Sequence, residues 1–197
     1  RWQSAFAVIM RDRKNPLQYS FSPTIELRII QKTALKRKDA NVSGDKNKAL
    51  VLYCNGPFCQ ASRGLSEQLV AAEFTNVRRY QLGIPIWRAL GGPTEIELEG
   101  ILRIYKVDQT AVFFDARSAE EFARGSLPGA HNVPVDKLAS DGLQKVPLPA
   151  DDFNTRIVLF GRDSAQARVL ADGLSKRPWH NVTYFTGTFE ALRAAIK

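Results

Sequence analysis

Apolar residues in this chain come in short unbroken runs closed by turn residues. Ala49-Leu50-Val51-Leu52-Tyr53 is one such run, ended by the Asn55-Gly56-Pro57 turn. In residues 62–72, Leu65, Leu69 and Ala72 then recur at helical spacing while Arg63, Glu67 and Gln68 fall on the opposite face. The pattern predicts a buried strand feeding an amphipathic helix. Residues 76–82 read as the next strand, and a helix joining two neighbouring strands is the crossover of a parallel sheet.

The same order returns about 106 residues later, with a strand at 156–160, a loop at 161–165, a helix at 166–174 and a strand at 181–185. Asn76-Val77 falls on Asn181-Val182, Tyr80 on Phe185, Gly83 on Gly187 across a small gap, and Trp87-Arg88-Ala89-Leu90 on Phe189-Glu190-Ala191-Leu192. This is an internal duplication. The second copy opens with a strand at 111–114 and an S-x-x-E capping box, Ser118 with Glu121, that starts a short helix. Its counterpart in the first copy is 6–13, and residues 15–48 carry little periodicity. The expected architecture is α/β, with two tandem domains, each a mostly parallel sheet flanked by helices, the first degenerate in its N-terminal part. The alternating stretch 95–103 after Gly91-Gly92-Pro93 reads as the linker and the entry to the second domain, which gives domains 1–98 and 99–197.

Composition narrows the function. A chain of 197 residues, 44% hydrophobic and 24% charged, buries a substantial core, and no apolar window is long enough to span a bilayer. Two cysteines, Cys54 and Cys59, are too few for a disulfide-stapled scaffold or a thiolate zinc site; with two histidines besides, neither a metal nor a cofactor is expected. The net charge of +8 favours anionic partners. The basic run 32–38 has no interleaved aromatics and reads as a solvated face, so nucleic acid is not expected as a partner. Nothing at the N-terminus is laid out as a secretory signal. Two thiols in one loop nevertheless favour an oxidising, periplasmic or exported location over the cytoplasm.

Cys54 follows a buried strand directly and precedes a tight loop and a helix, the place where open α/β sheets bind ligands. Backbone amides of 55–60 and the helix N-terminus would converge there, stabilise a thiolate and lower its pKa. The competing reading is an inert buried thiol, since free cysteine is among the most buried residue types.

Tyr53-Cys54-Asn55-Gly56-Pro57 after an apolar strand, with Asn76-Val77 and Gly83 before Trp87, resembles the active half of a rhodanese (sulfurtransferase) domain. Independently, Asp115-Ala116-Arg117-Ser118-Ala119-Glu120-Glu121-Phe122 and Gly125-Ser126-Leu127-Pro128-Gly129-Ala130-His131-Asn132-Val133-Pro134 resemble that family's opening motifs, D-x-R-x-x-x-E-F and G-x-x-P-G-A-x-N-x-P. The resemblance covers 49–90 and 111–195 well and 1–48 poorly. It implies that Cys54 carries sulfane sulfur as a persulfide, taking it from a small anionic donor such as thiosulfate and passing it to a thiophilic acceptor, either a small molecule or a protein. Asn55, Gly56, Pro57, Phe58, Cys59 and Gln60 would form the cradle, which works as an oxyanion hole does. Arg63 would either bind the donor's sulfonate-like end or merely solvate its helix. The resemblance also implies an ion pair between Asp115 and Arg117 that anchors a loop.

Three features depart from the pattern. The position matching Cys54 in the second copy is Gly161, so that domain has no sulfur carrier, and the active domain comes first where familiar two-domain members have it second. Cys59 lies five positions after Cys54; it is either a resolving or disulfide-forming thiol or a packed small residue. The stretch before Cys54 is eroded. A phosphatase with this fold needs C-x5-R, but Gln60 occupies the arginine position, and a C-x-x-C redox motif is absent. His131 reads as structural, and Trp87 and Trp179 as core or domain-interface residues. Two alternatives to the enzyme stand: a non-catalytic persulfide carrier or interaction module, and a redox protein using Cys54 with Cys59.

Overall fold

In the computed structural model, residues 6–9, 30–31, 46–47, 50–53, 55–58, 60–139 and 146–196 are described. The chain divides into two compact units, Arg1–Trp87 and Arg88–Lys197. In the first, β1 (Phe6–Ile9), β2 (Ile30–Gln31), β3 (Leu50–Tyr53) and β4 (Val77–Tyr80) form a sheet in the order β2-β1-β3-β4. The apolar run after Lys48 becomes β3, and its Leu50 and Leu52 are fully buried against Leu65 and Leu69 of α1 (Gln60–Ala71). That helix connects β3 to β4, which run parallel with Leu50 opposite Val77 and Tyr53 opposite Tyr80. A second helix, α2 (Gly83–Ala89), follows, and its Trp87 meets Tyr80 edge to face at 6.5 Å between ring centroids.

The first sheet corrects one expectation. β1 lies beside β3 but pairs antiparallel with it, and so does β2 with β1. The sheet is mixed rather than mostly parallel. Phe6-Ala7-Val8-Ile9 is apolar throughout, and a run without alternation carries no signal for pairing direction. Residues 10–13 of the stretch matched to the second copy's opening and the basic run 32–38 lie outside the described residues.

The second unit holds β5 (Thr94–Ile96), α3 (Leu98–Arg103), β6 (Ala111–Asp115), α4 (Ala119–Ala123), β7 (His131–Asn132), β8 (Arg156–Phe160), α5 (Ser164–Ser175), β9 (Val182–Phe185) and α6 (Phe189–Ile196). Its five strands run in the order β5-β9-β8-β6-β7, and every pairing is parallel. Both faces are covered: Leu170, Ala171 and Leu174 of α5 pack on one, Phe189 and Leu192 of α6 with Ile101 of α3 on the other. This explains why β8 and β9 read as continuous apolar runs. The stretch 95–103 is the entry to the second unit, as expected, but not a linker. Its start is edge strand β5, with Glu95 opposite Tyr184, and its end is α3. The division therefore falls at residue 87/88, ahead of the boundary expected near 98, because a three-residue strand is too short for alternation to reveal.

Candidate functional site

Each unit places a loop at the C-terminal end of a strand whose next element is a twelve-residue helix, α1 or α5. The two loops use their backbone donors differently.

In the second unit the loop is bonded to itself. Asp163 caps α5, its Oδ1 accepting from the Gln166 amide at 2.8 Å. The Gln166 side chain reaches back, and its Oε1 accepts from the Arg162 amide at 2.8 Å. The amide of Ala167 donates to the Asp163 carbonyl at 3.2 Å. Gly161 sits where β8 ends, and a Cβ there would meet Gln166 Oε1 at 2.9 Å and the Ala167 nitrogen at 3.2 Å. The Arg162 and Gln166 amides are thus engaged by protein acceptors. Across the loop, the Arg162 guanidinium grips Glu121 with two bonds, Nε to Oε1 at 3.2 Å and Nη2 to Oε2 at 2.9 Å. That bond holds the Glu121 carboxyl down at about 2, well below the usual carboxylate range. Ser118 and Glu121 complete the expected capping box.

Behind this rim lies the Asp115–Arg117 pair. Arg117 Nη2 donates to Asp115 Oδ2 at 2.6 Å and its Nε to Oδ1 at 3.0 Å, while Ser126 Oγ donates to Oδ2 at 2.6 Å. Arg117 also donates to the Gly125 carbonyl at 2.9 Å and lies 3.4 Å from the centroid of the Phe189 ring. Asn132 Nδ2 ties the Asp115 and Arg117 carbonyls together at 3.1 and 2.9 Å. The pair is buried, and its donors and acceptors are matched, the condition under which an interior ion pair is tolerated. His131 is exposed on β7, its ring 5.7 Å from that of Phe114. Trp179 is half-buried against the core, its Nε1 donating to the Pro149 carbonyl at 2.8 Å.

In the first unit the loop is differently furnished. Cys54 and Cys59 lie outside the described residues. Among the described residues, no backbone hydrogen bond from the amides of Asn55, Gly56 or Phe58 is found. Pro57 has no N–H, so it shapes the expected cradle without donating to it. Gly56 has φ 142°, a conformation that residues with a Cβ rarely adopt, and this turn requires glycine there. Phe58 is 92% exposed. Gln60 opens α1, whose first-turn amides have no partner within the helix. Arg63 is exposed and its Nε donates to Glu67 at 3.0 Å, one turn along the same helix.

A second cation stands at this end of the sheet, and the sequence reading missed it. Arg79 lies on β4 opposite Leu52, on the face that packs under α1, with Nη2 3.5 Å from the buried Ser62 Oγ. Its Nε is buried and has no hydrogen-bond partner. The signal was available: Arg78 and Arg79 are adjacent in a strand, and alternation sends one of any such pair inward.

Among the described residues no helix is long and apolar enough to cross a membrane, and no cluster of His, Cys, Asp and Glu could hold a metal ion.

Comparisons place the second unit. No curated protein matches the chain. Among solved structures, a protein of unknown function and possible tyrosine phosphatase from Rhodopseudomonas palustris is 18% identical, over 57% of this chain and 90% of that one, with a TM-score of 0.44. A rhodanese-like domain from Anabaena is 17% identical, over 51% and 74%, with a TM-score of 0.44. A rhodanese-related protein from Thermoplasma volcanium is 15% identical, over 52% and 92%, with a TM-score of 0.41. The family model described as Rhodanese-like domain matches residues 98–195, and that part of the chain, within the second unit, is a rhodanese-like domain.

Proposed function

We propose that the chain is a sulfurtransferase in which the first unit is also rhodanese-like and carries sulfur on Cys54, while the second is a silent scaffold. The observation that carries this reading is the contrast between the loops. One follows a buried strand with a thiol, a turn glycine and amides at 55, 56 and 58 that have no backbone partner among the described residues; the other has Gly161 in the matching position, with the Arg162 amide bound to Gln166 and the Gln166 amide bound to Asp163. Charge supports it. Residues 1–87 hold 14 Lys and Arg against 6 Asp and Glu, while residues 88–197 hold 14 of each, so the net charge of +8 belongs to the unit with the thiol. A basic unit suits an anionic donor.

In the proposed reaction the Cys54 thiolate attacks the outer sulfur of thiosulfate, and the S–S bond breaks. Sulfite leaves with the bonding pair, and the enzyme is left as a persulfide anion. A thiophilic acceptor such as cyanide then takes the terminal sulfur as thiocyanate and regenerates the thiolate. Asn55, Gly56, Phe58 and Gln60 would offer amides to the anionic sulfur at each stage, as donors aimed at developing charge do.

Intact-protein mass after exposure to thiosulfate tests the reading. One sulfur is expected to add to the protein, Cys54→Ser to abolish the addition, and Gly161→Ala to leave it intact. No added mass, or addition that survives Cys54→Ser, would overturn it.

A further inference from the structure

Among the described residues Arg79 has no counter-charge. Its strand neighbour across β3 is Leu52, two residues before Cys54, and both face the layer of Leu50, Leu65, Leu69 and Val77 beneath α1. A guanidinium brought into such a layer loses hydration and needs acceptors in return. Arg79 has one weak neighbour, Ser62 Oγ at 3.5 Å, and its Nε is buried without an acceptor. No carboxylate pairs with it among the described residues, whereas Arg63 is held by Glu67, Arg117 by Asp115 and Arg162 by Glu121. An unmatched, half-buried guanidinium is a site for an anion from outside the chain, and its planar donor fork suits an oxyanion.

We propose that Arg79, with Ser62 beside it, seats the oxyanion end of the sulfur donor and so determines preference for doubly charged sulfur-oxygen anions. This rests on the sulfur-transfer reading for the identity of the ligand, but not for the existence of an anion site. Arg79 replaces Arg63 as the residue in that role. It is a binding residue: it holds the donor's leaving group and takes no part in bond exchange.

Two measurements separate the inference from the reading beneath it. The first is alkylation of Cys54 by iodoacetamide, an uncharged reagent, followed by peptide mapping to distinguish Cys54 from Cys59. Added sulfate is expected to slow alkylation in the wild type, and Arg79→Gln to raise the protecting sulfate concentration about 10- to 100-fold, as for a lost bond to a charged group. Arg79→Lys should recover part of the protection. The second is thiosulfate loading, where Arg79→Gln should raise KM by a similar factor with little change in kcat. Matching thermal unfolding of the variants confirms that they fold, and should Arg79→Gln fail to fold, Arg79→Lys carries both measurements, its affinity expected between those of wild type and no site. Sulfate protection with no loading would keep the anion site and sink sulfur transfer. Loading with unchanged KM and equal protection in Arg79→Gln would keep sulfur transfer and overturn the assignment.

Discussion

Asp115 has no exposed surface, and each of its carboxylate oxygens accepts from at least one donor. Removing it strands Arg117 as a buried cation, so Asp115→Ala is expected to cost the second unit about 3–5 kcal/mol, read by urea unfolding. A loss below about 1 kcal/mol would mean that the pair is not structural. Glu121 gives a prediction with pH. Its folded value of about 2 lies below the model-compound 4.5, so its stabilisation is fully present above 4.5 and is lost as pH falls through about 2. Arg162→Gln should remove that depression and move the acid limb of unfolding to higher pH, and an unchanged limb would contradict the clamp. Asp115 was legible in the sequence through motif resemblance, and Glu121 through its capping-box spacing from Ser118 as well. That Arg162 would close on Glu121, 41 positions away, was not, because an ion pair across two loops leaves no local pattern.

Among elements, β9 and the turn after it fit too closely to admit a methyl group. A Cβ at Gly187 would collide with the buried ring of Phe185, which has no room to withdraw. Gly187→Ala is expected to destabilise by about 1–3 kcal/mol, the usual cost of overfilling a packed interior, with denaturant midpoint as the measure. The strand–loop–helix–strand segments could be read from sequence because continuous apolar runs bounded by turns have few alternative structures. β3, α1, β4, β8, α5 and β9 all lie within two residues of where the pattern puts them. The direction of β1 could not be read, for lack of alternation, nor could β5, for lack of length. Arg79 was legible but unread: of two successive arginines in a strand, alternation turns one inward.

For the molecule as a whole, the excess charge lies on the unit to which the sulfur chemistry is proposed to belong. The excess of eight positive charges lies on residues 1–87, and the rhodanese-like domain at 98–195 belongs to a unit with none. Long-range attraction of a small anion should therefore weaken as salt shortens the Debye length to about 10 Å at 0.1 M. The second-order rate of thiosulfate loading is expected to fall steadily with added potassium chloride, and a flat response would argue against electrostatic capture. The second unit's self-bonded loop has a different consequence. A cysteine side chain at position 161 would push against Gln166 Oε1 and lie beside an Arg162 amide already bonded to that same oxygen. On the proposed sulfur-transfer reading, a thiol at 161 would need Gln166 replaced as well before the Arg162 amide could turn to it, so no single substitution converts that loop.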